Sequence, residues 1–512
     1  MIYNVLTYLE RAARHCPQKA AVADEHRALT YEQLQGHAQQ IGANLNARLK
    51  RSNRPIFVCI DRNVESIEAF LGVVYSGNFY VPVDLSLPES RIRGMLSAVP
   101  PIAIINPLDK AFPVCADGIP VFTLDELLMQ THPVSALHSL RENAKDTDPL
   151  YCIFTSGSTG VPKGVVVCHR SVIDMAEQFV SAFAFGQETV FGNQAPFDFD
   201  VSVKDVYLSL KTGGRMEILE KKLFSFPKLL IERMNERRVN TVIWAVPALN
   251  IISALRAFRT MKPEHLQNVL FSGEALPGKT LEYWQSNLPD VRYVNLYGPT
   301  EITCNCTYKI IDGPYENGTP IPIGRAFPNC TVLLLDGNEL ITEAGRIGEI
   351  CVLGSCLALG YYNCPELSEQ VFVQNPLQNQ WHERMYRTGD LGSLLPDGDL
   401  LFVGRRDTQI KHMGHRIELS EIELAANALA GVEVSACIYD QARTRIVLFC
   451  KCAGADKAGI LEGLKQKLPK YMLPTAVVCV DSFPLTRTGK IDRKSLLALE
   501  ETERDEKNGR TV

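Results

Sequence analysis

The segment Tyr151–Gly164 reads YCIFTSGSTGVPKG, a short apolar run followed by a loop of threonine, serine and glycine that leads to Lys163. The apolar run predicts a buried β-strand. Glycines let backbone N–H groups converge, hydroxyl groups donate further hydrogen bonds, and a lysine supplies a mobile positive charge. The segment therefore predicts an anion site where a strand ends, and its natural ligand is a nucleoside triphosphate.

The loop differs in spacing from the Walker phosphate loop, which reads GxxxxGK followed by serine or threonine. Here Lys163 is followed by Gly164, and the loop glycines stand at other positions. This difference excludes an ordinary P-loop NTPase or kinase. A glycine-rich surface turn remains the alternative for the loop taken alone.

The composition of the 512 residues is that of an ordinary globular protein of more than one domain, with 46% hydrophobic and 22% charged residues. The formal net charge of −5 argues against a nucleic-acid partner, which needs a basic surface. The N-terminal stretch carries charges in a helix-like pattern and lacks the apolar core of a signal peptide. No apolar run approaches the length of a membrane span. We therefore expect a cytoplasmic protein without a membrane partner.

The 15 cysteines include no CxxC pair. Cys304 and Cys306, like Cys450 and Cys452, lie two residues apart in apolar stretches. Buried free thiols in a reducing compartment are favoured, and metal ligation stays open as the alternative.

Apolar runs that alternate with amphipathic stretches predict an α/β fold with several domains and layered, mostly parallel sheets. We expect a large domain at 1–406, with a small β-rich subdomain at about 310–403, a small mobile α+β domain at 407–500 and a frayed tail at 501–512. The predicted strands include Pro55–Ile60, Ala103–Asn106, Val165–Val167, Thr241–Val246, Val269–Ser272, Val332–Leu335, Glu349–Leu353 and Leu400–Val403, and the predicted helices include Val64–Val74, Lys228–Arg238 and Leu276–Asn287.

The small domain is predicted to run strand, helix, strand, helix, strand. Ser420 is followed three residues later by Glu423, a capping-box pattern that predicts the start of the first helix.

A second polar cluster is Asn295–Glu301, NLYGPTE. Tyr297 could stack on a purine, Thr300 could reach a phosphate, and Glu301 could hold Mg²⁺ together with phosphate oxygens. A structural turn punctuated by Gly–Pro is the alternative.

Two further segments are Tyr386–Asp390, YRTGD, and Pro484–Arg493, PLTRTGKIDR. Asp390 at a glycine turn could accept both hydroxyls of a ribose, although Gly–Asp is also common turn chemistry. Lys490 could stand at an exposed loop tip, where a solvated basic loop is the default.

In this order the four segments resemble the adenylate-forming superfamily, which includes acyl-CoA synthetases, luciferases and the adenylation domains of nonribosomal peptide synthesis. The resemblance covers nearly the whole chain and is strongest to amino-acid-activating members, in particular stand-alone ligases such as D-alanine–carrier protein ligase. Further matching segments are LTYEQL at 29–34, YVPVD at 80–84, GEI at 348–350, GYY at 360–362 and LPKYMLP at 468–474.

The resemblance implies a ligase that uses ATP and Mg²⁺ in two half-reactions. A carboxylate attacks the α-phosphate of ATP and leaves an acyl-adenylate, and a phosphopantetheine thiol then attacks that anhydride. Alignment and charge neutralisation carry the first step. The resemblance implies that the phosphates are held by Thr155, Ser156, Gly157, Thr159 and Lys163, the adenine by Ser272, Gly273, Glu274, Asn295 and Tyr297, the α-phosphate by Thr300, the Mg²⁺ by Glu301, and the ribose by Asp390 and Arg405.

Lys490 would bridge the substrate carboxylate and the α-phosphate, which makes it the main catalytic group beside Thr300 and Lys163. Because the resemblance places Lys490 in the small domain, that domain must close for adenylation. It would then rotate about Asp407, and Gly414 would pass close to the incoming phosphopantetheine arm. We expect the arm to belong to a separate carrier protein.

Asp200 falls where amino-acid-activating members hold the substrate ammonium. A buried ammonium needs a charged partner, whereas a helix N-cap is the alternative role for this aspartate and Asp198 is a weaker rival. Lys204 could pair with an acidic side chain or extend to solvent. Ser272 replaces a cysteine expected in the D-alanine ligases, and this departure counts against D-alanine as the substrate. The remaining pocket maps to Val201, Lys204, Leu249, Leu270, Ser272, Leu296, Cys304 and Asn305, which suggests a small or medium, mostly apolar side chain.

The sequence thus predicts an amino-acid:carrier-protein ligase. An acyl- or aryl-CoA synthetase on the same scaffold is the first alternative, and it leaves Asp200 without a role. A non-catalytic nucleotide-binding regulator is the second, and the presence of both Lys163 and Lys490 counts against it.

Overall fold

A computed structural model describes two compact units. It covers residues 2–108, 110–116, 118–129, 132–157, 162–313, 315, 319–441, 443–452, 456–484, 491–493 and 495–496. The first unit comprises the described residues of Met1–Asp84, Val99–Phe154 and Gly164–Arg406, and the second those of Leu85–Ala98, Thr155–Lys163 and Asp407–Val512.

The strands are numbered in chain order. They are β1 (Ala20–Ala23), β2 (Ala28–Thr30), β3 (Pro55–Ile60), β4 (Phe79–Asp84), β5 (Ala103–Ile105), β6 (Val121–Phe122), β7 (Pro149–Thr155), β8 (Lys163–Cys168), β9 (Val190–Asn193), β10 (Arg215–Ile218), β11 (Thr241–Ala245), β12 (Asn268–Ser272), β13 (Arg292–Tyr297), β14 (Thr307–Ile310), β15 (Arg325–Ala326), β16 (Cys330–Asp336), β17 (Glu339–Leu340), β18 (Ile347–Gly354), β19 (Gly360–Tyr361), β20 (Phe372–Gln374), β21 (Arg384–Leu394), β22 (Leu400–Arg405), β23 (Gln409–His412), β24 (His415–Glu418), β25 (Val432–Asp440), β26 (Arg445–Cys452) and β27 (Ala476–Cys479).

The helices are numbered in the same way. They are α1 (Leu6–His15), α2 (Tyr31–Leu49), α3 (Val64–Tyr75), α4 (Glu89–Ala98), α5 (Leu124–Met129), α6 (Ala136–Asn143), α7 (His169–Phe183), α8 (Val201–Thr212), α9 (Pro227–Glu236), α10 (Val246–Ala254), α11 (Gly278–Asn287), α12 (Pro365–Val371), α13 (Leu419–Asn427) and α14 (Lys457–Lys465).

Three sheets contain the strands β1 to β22. A nine-stranded sheet has the order β15-β14-β13-β12-β11-β9-β10-β1-β2, and a seven-stranded sheet has the order β19-β8-β7-β4-β3-β5-β6. The central pairs of both are parallel. The third sheet, with β16, β17, β18, β20, β21 and β22, is antiparallel. The predicted α/β fold is confirmed.

The parallel strands form where apolar residues run without interruption, because helices cover such a sheet on both faces. All six residues of β3 and all five of β11 are buried. Trp244 on β11 packs edge-to-face on Phe224, with ring centroids 5.3 Å apart. The largest buried side chains, Trp244 and Trp284, fill a core on the α9–α11 side of the nine-stranded sheet.

The start of α2 explains why the segment LTYEQL changes from strand to helix. Thr30 accepts a hydrogen bond from the backbone N–H of Gln33 at 3.2 Å, and the Gln33 side chain accepts one from the Thr30 backbone at 2.9 Å. This capping box satisfies two N–H groups that the first helical turn leaves unpaired.

The predicted capping box at Ser420 is wrong. Helix α13 begins at Leu419, with Glu418 as the preceding residue and no side-chain cap. Ser420 therefore lies inside the first turn. The Glu423 carboxylate instead accepts a hydrogen bond from the backbone N–H of Cys437 on β25, at 2.7 Å. It therefore binds a distant strand and not the start of its own helix, as the local pattern had predicted.

The predicted order of the small domain is also incomplete. Its C-terminal part begins with the hairpin β23–β24, and an antiparallel pair, β25–β26, stands between α13 and α14 where one strand was expected. Strand β27 then pairs parallel to β26. Within the described residues, the helices are too short or too polar to cross a bilayer.

Candidate active site

Several polar residues of the first unit lie at the sheet edge that is formed by the carboxyl ends of β11, β12 and β13. Ser272 ends β12 beside Ala245, and Asn295 and Tyr297 lie near the end of β13. Loops that leave the carboxyl ends of parallel strands open into one crevice, where ligands of open α/β sheets bind. Three of the residues expected around adenine therefore share one edge.

Gly273 follows β12 with a φ of +97°. A Cβ there would meet no atom within 4 Å, so the backbone conformation rather than lack of space favours glycine. On β13, Asn295 donates through Nδ2 to the carbonyl of Pro322 at 2.8 Å. Its amide oxygen is therefore the atom suited to accept a hydrogen bond from a base. Glu274 lies half-buried after Gly273.

Tyr297 and Asp390 meet although 93 residues separate them. The Tyr297 hydroxyl donates to Oδ2 of Asp390 at 2.6 Å, and the Arg405 guanidinium forms an ion pair with Oδ1. Strands β21 and β22 align Asp390 opposite Arg405, and Gly389, at φ +73°, turns the chain just before the aspartate. Burial, and then the Asp390 charge, raise the pKa of Tyr297, which keeps its hydroxyl a donor.

This arrangement brings together three residues that the family resemblance assigns to the nucleoside, Tyr297, Asp390 and Arg405. Each carboxylate oxygen has two lone pairs, so Asp390 can accept from Tyr297 or Arg405 and from a ribose hydroxyl as well.

Glu301 is fully buried in the short helical turn 300–302 after β13. Tyr361 donates to its Oε1 at 2.8 Å, and the Ala358 N–H donates to its backbone carbonyl at 2.9 Å. Tyr361 lies in the GYY segment, and its residue type and spacing predicted no site role for it. Tyr361 positions the carboxylate expected to hold Mg²⁺.

The turn from Gly298 to Asn305 is tightly packed. Thr303 and Cys304 adopt positive φ angles of 59° and 76°. A Cβ on Gly298 would lie 2.6 Å from both the Asn305 Cα and the Cys304 carbonyl oxygen. Because backbone atoms cannot move aside cheaply, only glycine fits, and the turn holds Asn305 in a fixed position.

Asp200 immediately precedes α8, and its side chain makes no capping hydrogen bond there. Its backbone carbonyl accepts a hydrogen bond from the Cys304 thiol at 3.0 Å. The charge of Asp200 contributes to raising the pKa of both Tyr151 and Cys304, after the larger effect of burial, so the three side chains are electrostatic neighbours. The helix-cap alternative for Asp200 thus finds no support in the geometry. The predicted pocket residues Val201, Leu249, Leu270, Ser272 and Leu296 are all buried.

Asp198, the rival for the ammonium, has different surroundings. Burial and the nearby Asp84 raise its pKa to about 6, while Arg62 and Lys221 lower it. Asp198 therefore already has cationic neighbours. Its Oδ1 accepts no hydrogen bond from the described residues.

Lys204 does not extend to solvent, so that alternative is wrong. Its side chain is fully buried, and Nζ donates to Oδ1 of Asn305 at 2.6 Å. The next residue, Asp205, is also fully buried and accepts from Asn193 at 2.8 Å. Sequence reasoning missed Asp205 and Asn193. The only available signal was an acidic residue inside an otherwise apolar helical stretch.

The second unit contains the described part of the glycine-rich loop. Ser156 donates to the backbone carbonyl of Arg416 at 2.9 Å, and Thr155 Oγ1 is buried with no partner among the described residues. Arg91 on α4 forms a buried ion pair with Glu421 on α13. Thr159 and Lys490 lie outside the described residues, and Lys163 begins β8.

The predicted hinge and thiolation positions also lie in the second unit. The Asp407 side chain accepts the backbone N–H of Gln409 at 3.1 Å, just before β23. Gly414, at φ +81°, and Met413, at φ +53°, form the turn of the β23–β24 hairpin. Gly414 therefore occupies a turn position that favours glycine.

Cysteines of the described residues are free thiols. Cys304 and Cys306 are buried, as is Cys450, while Cys452 is half-buried. Within the described ranges, histidine, cysteine and acidic side chains form no cluster of three that could hold a metal ion.

Comparison with known proteins gives three findings. The model of the AMP-binding enzyme family matches residues 9–362. Bacitracin synthase 1 of Bacillus licheniformis is 32% identical over 495 residues, which cover 95% of this chain and 9% of that protein. The D-alanine–D-alanyl carrier protein ligase of Bacillus cytotoxicus is 30% identical over 517 residues, which cover 97% of this chain and 99% of the ligase.

The fold has solved counterparts as well. The structure of holo-PA1221, an NRPS protein containing adenylation and PCP domains bound to a vinylsulfonamide inhibitor, aligns with a TM-score of 0.83 and 25% identity, covering 97% of this chain and 84% of that chain. The chain spans only 9% of the length of the bacitracin synthase, whereas its length matches that of the D-alanyl carrier protein ligase.

Proposed function

Since this chain belongs to the AMP-binding enzyme family, we propose that it is a ligase that activates an amino acid with ATP and transfers it to the phosphopantetheine thiol of a carrier protein. The observation that carries the amino-acid part is Asp200. This residue stands at the start of α8 next to Cys304, beside the buried apolar residues Val201 and Tyr151. A carboxylate in this position, half-buried and close enough for its charge to act on Tyr151 and Cys304, suits a substrate ammonium, because the two opposite charges compensate each other.

The first half-reaction needs no protein nucleophile. A carboxylate oxygen of the amino acid attacks the α-phosphorus of ATP, the bond to pyrophosphate breaks, and aminoacyl-AMP remains. In this proposal Tyr297, Asp390 and Arg405 hold the nucleoside, and Thr300 contacts the α-phosphate. The Tyr297 and Arg405 contacts pre-orient the Asp390 carboxylate, so that little ordering remains when the ribose binds.

The phosphates are proposed to lie on the loop that contains Thr155, Ser156, Gly157, Thr159 and Lys163. The buried Thr155 hydroxyl, which has no partner among the described residues, supports this assignment because such a group is usually satisfied by a ligand or water. Lys490 is proposed to bridge the two reacting anions.

Glu301 fits a role as the Mg²⁺ ligand. It is a carboxylate, a ligand that Mg²⁺ prefers, and the hydrogen bond from Tyr361 to Oε1 fixes its orientation. When bound, the cation would neutralise charge on the leaving pyrophosphate.

In the second half-reaction the thiol sulfur attacks the carbonyl carbon of aminoacyl-AMP, and AMP leaves as a thioester forms. The similarity to a D-alanyl carrier protein ligase, which covers 97% of this chain and 99% of that ligase, supports a carrier protein as acceptor. Asp407 is proposed as the hinge, and Gly414 as the position that the arm passes.

Amino-acid-dependent exchange of labelled pyrophosphate into ATP tests the proposal. We expect exchange with at least one amino acid and, in Asp200→Asn, a loss of about a hundredfold in kcat/KM for that amino acid. Asp198→Asn is the matched control, and it should retain most of the activity because its carboxylate already faces cations.

Turnover of fatty or aryl acids with free coenzyme A, without exchange for any amino acid, would reject this function in favour of a CoA synthetase. A larger loss in Asp198→Asn than in Asp200→Asn would transfer the ammonium site to Asp198.

A further inference from the structure

Lys204 is a fully buried cation whose donors are mostly unused. One N–H of Nζ reaches Oδ1 of Asn305 at 2.6 Å. Within the described residues, Lys204 has no other hydrogen bond and no ion pair. A buried ammonium is strongly destabilising unless a charge and hydrogen-bond acceptors compensate it. Two of its three donors are therefore available to a ligand.

Asn305 also has hydrogen-bond donors that no described group accepts. Its Oδ1 accepts from Lys204, and its Nδ2 donates to no group of the described chain. The packed turn around Gly298 fixes Asn305. An ammonium and an amide NH₂, linked through one oxygen and both with unused donors, match the two oxygens of a carboxylate.

The neighbouring Asp205 does not supply this carboxylate. It accepts from Asn193 through Oδ2, and Oδ1 has no partner within the described residues. Burial raises the pKa of Asp205 to about 7, so much of the population carries no charge at neutral pH. The Lys204 charge lowers the pKa of Asp205, but the two side chains form no ion pair or hydrogen bond within the described residues, since adjacent helical residues point about 100° apart around the axis.

The position of Lys204 relative to Asp200 adds a second constraint. Asp200 directly precedes α8, and Lys204 follows four residues later. Positions four apart share a helix face and are separated by about 6 Å along the axis. Cys304 contacts Asp200 and Asn305 contacts Lys204, so two consecutive residues of one turn reach both charged positions.

We propose that Lys204 and Asn305 bind the side-chain carboxylate of the substrate, and that the substrate is a dicarboxylic amino acid of the aspartate or glutamate type. This inference rests on the proposed function, in which Asp200 binds the α-ammonium. It replaces the expectation of a mostly apolar substrate side chain. The α-carboxylate remains the reacting group, and the second carboxylate serves recognition alone.

The test is a pyrophosphate-exchange panel that compares each acid with its amide. The full-length protein is assayed with both enantiomers of aspartate, asparagine, glutamate and glutamine, and with alanine and leucine. We expect one dicarboxylic amino acid to have a kcat/KM at least tenfold higher than that of its amide. A difference of about this size is expected when a charged hydrogen bond between a buried lysine and a carboxylate replaces a neutral one.

The variant Lys204→Met keeps the length and apolar character of the side chain and removes the charge. We expect it to lower kcat/KM for the acid by about a hundredfold and to reduce or reverse the acid-to-amide ratio. Lys211→Met is the matched control on the same helix, where the lysine pairs with Glu177, and it should leave the ratio unchanged. Because the ratio is measured within one preparation, partial misfolding does not alter it.

Exchange with alanine, leucine or an amide, but with neither acid, would overturn this inference and leave the proposed function intact. An unchanged acid-to-amide ratio in Lys204→Met would also overturn it. Absence of exchange with every amino acid would reject the proposed function and this inference together.

Discussion

Replacing Asp205 by asparagine should remove a pH dependence of folding that this one buried group creates. Asp205 is fully buried on α8, and its Oδ2 accepts a hydrogen bond from Asn193 at 2.8 Å. The Oδ1 atoms of both side chains have no partner within the described residues. An asparagine at 205 keeps a side-chain oxygen that can accept from Asn193, and its NH₂ group can donate to the Asn193 oxygen. It does so without placing a charge in the core.

The magnitude follows from the pKa of Asp205. Burial raises it from 3.8 to about 7, against the opposing effects of Asn193 and Lys204. Between these two values the folded protein holds a proton that the unfolded chain has lost, so stability falls as pH rises through this window. At 1.36 kcal/mol per unit, the free energy of unfolding should decrease by about 3 kcal/mol between pH 5 and pH 8 because of this group.

Denaturant unfolding at several pH values, followed by tryptophan fluorescence, measures this effect. All three tryptophans, Trp244, Trp284 and Trp381, lie in the first unit, which also contains Asp205. Asp205→Asn should therefore become more stable than the wild type as pH rises from 5 to 8. Asp290→Asn, at an exposed position, is the control.

Two results would refute this reasoning. One is a stability difference between Asp205→Asn and the wild type that stays constant from pH 5 to pH 8. The other is a loss of stability in Asp205→Asn at pH 8, which would mean that the ionised carboxylate is the stabilising form.

Two further substitutions test other parts of the structure. Gly298→Ala places a Cβ 2.6 Å from the Asn305 Cα, so we expect the free energy of unfolding to fall by about 1–3 kcal/mol. We also expect this variant to lose amino-acid-dependent pyrophosphate exchange. Normal exchange would show that the turn adapts to the added methyl group. Glu421→Gln leaves the buried Arg91 without a counter-charge, so we expect the second unit to be destabilised by about 3–5 kcal/mol. Hydrogen exchange of the backbone amides of α13 measures this loss. Unchanged protection of those amides would contradict a stabilising ion pair between Arg91 and Glu421.

Much of the fold could be predicted from local pattern. Strand Pro55–Ile60 was predicted with its observed bounds, because an uninterrupted apolar run has few alternatives to a buried parallel strand. Helix Val64–Tyr75 was predicted to within one residue. The predicted start of α13 was wrong, because the pattern Ser-x-x-Glu also occurs inside helices. The contact with β25 decided which group the Glu423 carboxylate binds.

The candidate site was predictable in composition but not in arrangement. Tyr297 and Asp390 stood out from their glycine-containing segments, yet only the pairing of β21 with β22 and the position of β13 bring them within 2.6 Å. Lys204 could be identified as unusual in a predominantly apolar pocket. Whether it reached solvent or stayed buried depended on Asn305, which is 101 residues away.

By itself, the sequence determined the α/β class and the order of the motifs, since these depend on periodicity and on residue types within a few positions of one another. The type of chemistry was implied by the family that these motifs resemble. The tertiary structure alone decided which polar groups of the described residues are partnered, and it buried Lys204 against Asn305 without an ion pair among those residues. The physical reason is that hydrogen bonding and desolvation depend on atoms brought together from distant segments, and no local spacing specifies those neighbours.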